Sequence, residues 1–108
     1  MNDLEEPLRT LLSQTFELDT TSVEHGEVPL IDLLADRIEE LLATQMESFM
    51  SMMYRLDVPE AKIRSALSPT NDEAPNVTLA KLIIERQVQR IRTKRTFKQR
   101  PLDDWMDF

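Results

Sequence analysis

One glycine in 108 residues, with no Asn-Gly or Asp-Gly pair, leaves this chain almost without the turn chemistry that hairpins and sheets consume. Its apolar residues recur instead at spacings of three and four, interrupted at prolines and short polar stretches. The expected fold class is therefore all-α, a small helical bundle. A chain of this length is one domain by size and supports one modest core. At 41% hydrophobic and 31% charged residues, its composition is that of a folding chain and not of a disordered one.

Three parts are expected along the chain. Residues 1–28 read as a short N-terminal helix plus linker: Leu8, Leu11, Leu12 and Phe16 make an apolar stripe, with Pro7 tolerated in the first turn. The polar stretch Asp19 to Val28 has no stripe and reads as a loop, which makes the first helix an appendage. Residues 29–100 read as the helical core. A single long central helix is predicted from Pro29 to about Leu56, roughly 40 Å at the α-helical rise. One face of it carries Ile31, Leu34, Ile38, Leu41, Leu42, Phe49, Met52, Met53 and Leu56. A short capped helix follows, with Asp57 as N-cap, Pro59 in the first turn and Glu60 completing an Asp-x-x-Glu capping box. It stops at Ser68-Pro69. After the loop TNDEAPN, a long basic C-terminal helix is predicted over about 77–99. Val77, Ala80, Ile84, Val88 and Ile91 form its core face, with Ile83 at the edge. Residues 101–108 read as an acidic-aromatic tail.

Several function classes find no support in the residues. Without cysteine there is no disulfide framework, thiolate metal site or cysteine nucleophile. The acidic start lacks the pattern of a secretory signal, and no apolar run approaches the roughly 20 residues that span a bilayer. A cytoplasmic location is the expectation, with no membrane contact, and the sequon Asn76-Val77-Thr78 reads as a helix start. The single histidine, His25, sits in the polar loop as Glu24-His25-Gly26-Glu27, too few ligands for a zinc site. Asp32, Asp36, Glu39, Glu40 and Glu47 lack the Glu-x-x-His pairs of a di-iron bundle and read as a solvated helix face. No phosphate loop can be built with one glycine, and no catalytic triad is indicated. The chain is expected to be no enzyme, with no metal or other cofactor.

The charge is strongly divided. Arg86, Arg90, Arg92, Lys94, Arg95, Lys98 and Arg100 form a run free of acids, so seven of the 13 basic residues sit in one segment at +7. The remainder, with all 20 acids and six bases, carries −14, giving the net −7. Arg86, Arg90, Lys94 and Lys98 recur every four residues and predict a continuous cationic ridge. Such a ridge suits phosphates or an acidic protein surface. It also suits a solvated helix end, where cations complement the macrodipole. Interleaved aromatics for base stacking are missing except for Phe97.

Two further features point to partners. Met46, Met50 and Tyr54 lie off the core face of the long helix and widen its apolar arc beyond what one three-helix core covers; with Met53 they are the residues expected to self-associate as a homodimer. In the tail, Asp103, Asp104, Trp105 and Phe108 combine rim charges with aromatic anchors, the pattern of a docking peptide. Fold-back of Asp103, Asp104 and Asp107 onto the ridge, with Trp105 over exposed apolar surface, is the other arrangement the charges permit.

The segments LADRIEELL, YRLDVPEAKI and LIIERQVQRIRTKRTF, within Leu33 to Phe97, resemble short bacterial proteins of the Bacteroidetes type that carry no assigned activity. The resemblance covers about three fifths of the chain. It implies a bacterial cytoplasmic origin, with the N-terminal helix and the tail as additions, and it transfers no functional residue. Taken together, the residues lead to the expectation of a helical protein-interaction module, an adaptor or assembly factor. The alternative is an accessory nucleic-acid binder using the basic helix.

Overall fold

The computed structural model describes residues 4–99, with side chains as far as residue 96. Six helices make up the described chain: α1 (Glu5–Phe16), α2 (Thr21–Glu24), α3 (Leu30–Thr44), α4 (Met46–Arg55), α5 (Glu60–Leu67) and α6 (Pro75–Gln99). The fold is all-α, as periodicity predicts. α6 is the spine, with α1, α3 and α5 packed against it and α4 in contact with α3.

α1 is no appendage. Leu8, Leu12 and Phe16 are buried in the same cluster as Leu34, Ile38 and Ile83. The polar stretch after it is short enough to return the chain directly: Asp19 accepts bonds from the Thr21 amide (3.1 Å) and hydroxyl (2.6 Å), opening the one-turn α2. Gly26 then supplies the left-handed turn (φ 76°) that re-aims the chain toward α3. Those two bonds hold the Asp19 carboxyl below its ordinary range.

The long central helix is two helices. Gln45 departs from helical geometry (φ −143°, ψ 53°), and α4 starts anew at Met46. No Gly or Pro marks the break. Thr44 just before it bonds back to the Glu40 carbonyl (2.8 Å), a habit that bends helices. The break turns the second half so that Phe49, Met53 and Leu56 join Leu34, Ile38 and Leu41 in one core. A straight rod of roughly 40 Å would carry them past its end.

The short helix also begins differently from the expectation. α5 starts at Glu60 behind Pro59, with no side-chain cap, and Asp57 belongs to the end of α4. Asp57 lies in the left-handed region (φ 59°). Its amide bonds to the Tyr54 carbonyl (3.1 Å) and that of Val58 to the Met53 carbonyl (3.1 Å). This is the Schellman pattern that usually employs glycine, closed here by buried Val58.

α6 begins two residues before the predicted start. Pro75 takes the first helical position, and the Asn76 amide group, in the first turn, donates to the Ala35 carbonyl of α3 (3.1 Å). Ahead of it, Asn71 bonds to the Ala66 carbonyl (2.9 Å) and Thr78 hydroxyl (3.0 Å), while Glu73 takes the Thr78 hydroxyl (2.7 Å) and pairs with Lys81. The core face of α6 is centred on Leu79, Ala80, Ile83 and Gln87, a rotation from the predicted stripe. Val77, Ile84, Val88 and Ile91 flank it, half-buried.

Candidate functional site

Helix ends explain where the first two members of the cationic run go. The last carbonyls of an α-helix have no partner within it and carry the negative end of the macrodipole. At the end of α4, three successive carbonyls receive donors from α6. The Arg90 guanidinium reaches the Arg55 carbonyl (3.4 Å), Gln87 the Leu56 carbonyl (2.7 Å) and Arg86 the Asp57 carbonyl (3.0 Å). Arg86 also pairs with the Asp57 carboxylate, which lies below its ordinary range because of that hydrogen bond and the Arg86 charge. Arg37 of α3 does the same for α1. It donates to the Phe16 carbonyl (2.9 Å) and faces the carboxylate of Glu17 (4.0 Å), itself left-handed at φ 56°.

The predicted ridge is thus divided by use. Arg86 and Arg90, two of its four members, anchor the α4 turn. Arg92 and Lys94 are exposed, and Arg95 is half-buried. Lys98 lies on α6, and its side chain is not among those described; Arg100 and the tail residues Asp103, Asp104, Trp105 and Phe108 lie outside the described residues. Gln87, only 1% exposed, is the residue that periodicity missed. Its one signal in the sequence is a polar side chain four places after Ile83, where the stripe should continue.

Where α1, α4 and α6 meet, a groove of about 360 Å³ opens beside the projecting end of α6. Leu11, Leu56 and Ile91 supply its apolar lining, and Arg55, Arg90 and Lys94 its charges. No acid contributes to it. On a chain with net charge −7 this is a local reversal of sign, and low-dielectric walls focus such a field. A second groove of about 340 Å³ between α5 and α6 sets Asp57 and Glu85 against Lys62 and Arg86, so its charges balance.

No protein-family model, curated protein or solved structure matches the chain.

Of the predicted self-association residues, Met53 is fully buried and has no surface to offer a partner. Met50 packs half-buried against the core. Met46 and Tyr54 are the exposed large apolar side chains of α4, at 41% and 65%. His25 and its neighbouring glutamates are exposed at the α2 turn. Among the described residues no group of three or more His, Cys, Asp or Glu side chains is placed to hold a metal ion, and no helix is long and apolar enough to cross a membrane.

Proposed function

We propose that the chain is a non-enzymatic helical protein-interaction module, an adaptor or assembly factor, whose working surface is the α1–α4–α6 groove. Its ligand is an acidic segment carrying large apolar side chains. The observation that supports this reading is the lining itself: three cations, no acid, and an apolar base formed by Leu11, Leu56 and Ile91. Bulky side chains entering such a base desolvate it, while carboxylates at the mouth meet Arg55 and Lys94 and set orientation and encounter rate. Met46 and Tyr54, exposed on the next face of α4, support self-association of the same module. The cysteine-free composition suits a reducing compartment, and we place the protein in the cytoplasm.

Nucleic-acid binding through the end of α6 is the competing reading, supported by exposed Arg92 and Lys94. It is weakened by the commitment of Arg86 and Arg90 to backbone carbonyls and by the acidity of the chain. Two titrations decide. One follows the anisotropy of a labelled peptide rich in Asp, Trp and Phe; the other follows electrophoretic retardation of random RNA and DNA at two salt concentrations. The interaction reading expects peptide binding that weakens in Lys94→Glu and no retardation. Salt-sensitive retardation lost in Arg92→Glu with Lys94→Glu, without peptide binding, establishes the other.

A further inference from the structure

The nine residues that follow the last described helix carry an acidic segment with large apolar side chains, the kind of ligand proposed for the groove. We propose that the occupant of the α1–α4–α6 groove is the chain's own residues 101–108, PLDDWMDF, so that the module covers its binding surface with an internal copy of its ligand. The inference rests on the proposed reading of that groove as a site for acidic segments with large apolar side chains.

Charge comes first. The segment holds Asp103, Asp104 and Asp107 and no base, and the groove holds Arg55, Arg90 and Lys94 and no acid. The α5–α6 groove already sets Asp57 and Glu85 beside its cations, which would repel three more carboxylates.

Reach comes second. α6 ends at Gln99, and the groove takes Lys94, Ile91, Arg90 and Gln87 from the same helix. Counting back from Gln99 at the helical rise, Lys94 lies about 7 Å away, Ile91 about 12 Å and Gln87 about 18 Å. Nine residues can extend about 30 Å. A reversal at Pro101, which cannot continue the helix, leaves Trp105 four residues on, or about 13 Å of extended chain. That matches the distance to Ile91 and sets Asp103 and Asp104 in the neighbourhood of Lys94. Because the segment is tethered, its effective concentration at the groove is on the order of millimolar. A free partner must therefore out-compete it, and modest contacts suffice to hold it.

Trp105 is the only tryptophan, so intrinsic tryptophan fluorescence reports on this segment alone. The measurement is acrylamide quenching and emission wavelength of the full chain over a dilution series, against a synthetic peptide of residues 100–108. Expected are a blue shift and severalfold weaker quenching in the full chain, independent of concentration. Both should revert toward the peptide in Lys94→Glu, an exposed position whose circular-dichroism spectrum should match that of the parent, and in Asp103→Lys with Asp104→Lys. Peptide-like behaviour of the full chain at every concentration overturns the proposal. So does protection that grows with concentration, which assigns the groove to a second copy, and so does protection that survives Lys94→Glu, which puts the segment elsewhere. The labelled acidic peptide keeps the two inferences apart. If it binds while Trp105 stays exposed, the groove reading stands and the internal occupant falls; if it fails to bind even when Asp103→Lys with Asp104→Lys releases the segment, the groove reading falls itself.

Discussion

Replacing Gln87 by Met tests whether the α4 terminus depends on a donor from α6. The side chain is 1% exposed; its amide nitrogen donates to the Leu56 carbonyl at 2.7 Å and its oxygen accepts from Arg90 at 3.2 Å. Methionine fills nearly the same volume and donates nothing. The Leu56 carbonyl, at a helix end and in a residue 4% exposed, then loses its donor at a cost of about 1–3 kcal/mol. Arg90 is half-exposed, so water replaces the acceptor it loses. The apolar atoms that take the place of the amide return about 1 kcal/mol at the usual area coefficient. The net loss centres on about 1 kcal/mol within a range of about 0–2, read as a lower urea midpoint at unchanged slope or as a melting temperature lower by roughly 4–8 °C at the centre of that range. Gln87→Glu sharpens the test, because it sets a carboxylate oxygen against the carbonyl. It should be less stable than the methionine variant at neutral pH, with the gap narrowing on acidification as the carboxyl gains a proton it can donate. A Gln87→Met protein as stable as the parent would refute the reasoning, since the carbonyl would then need no donor.

Leu12→Ala removes a fully buried side chain of α1 and should cost about 2–5 kcal/mol in urea unfolding; a loss within about 0.5 kcal/mol would return α1 to the status of an appendage. Acid should unfold the chain in part through Glu73 and Asp57. Hydrogen bonds from Lys81 and Thr78, and from Arg86, hold these carboxyls below their ordinary values of 4.5 and 3.8. Their stabilisation is complete above those values and is lost as pH falls through the lower folded ones, so Glu73→Gln should flatten the acid limb, and an identical limb in that variant contradicts the assignment. Self-association through Met46 and Tyr54 should appear as a concentration-dependent mass in sedimentation that becomes monomeric in Met46→Ser with Tyr54→Ser. A parent chain that is monomeric throughout defeats it.

Periodicity made the fold class legible because burial at three- and four-residue spacing leaves a direct record. Leu8, Leu12 and Phe16, Leu34, Ile38 and Leu41, and Phe49, Met53 and Leu56 all reach the core. The break at Gln45 left no such record, since one distorted residue shifts the helical phase too little to spoil a stripe. The docking of α1 was hidden for another reason: a polar linker says nothing about where the helix before it comes to rest.

The roles of Arg37, Arg86 and Arg90 share one physical cause. With a single glycine, the chain ends α1 and α4 on left-handed acids, Glu17 and Asp57, where glycine would ordinarily serve. Such ends expose carbonyls and a carboxylate together, and an arginine from another helix satisfies both: Arg37 at the first, Arg86 at the second. Spacing along α6 therefore could not reveal what Arg86, Gln87 and Arg90 do, because their partners are carbonyls at the end of α4. The same cause sets the size of the candidate site. Once the donors fixed to helix ends are set aside, the exposed cations of the run among the described side chains are Arg92 and Lys94. Lys94 is the one of the two that lines the groove, and Lys94→Glu should separate the proposed binding from folding.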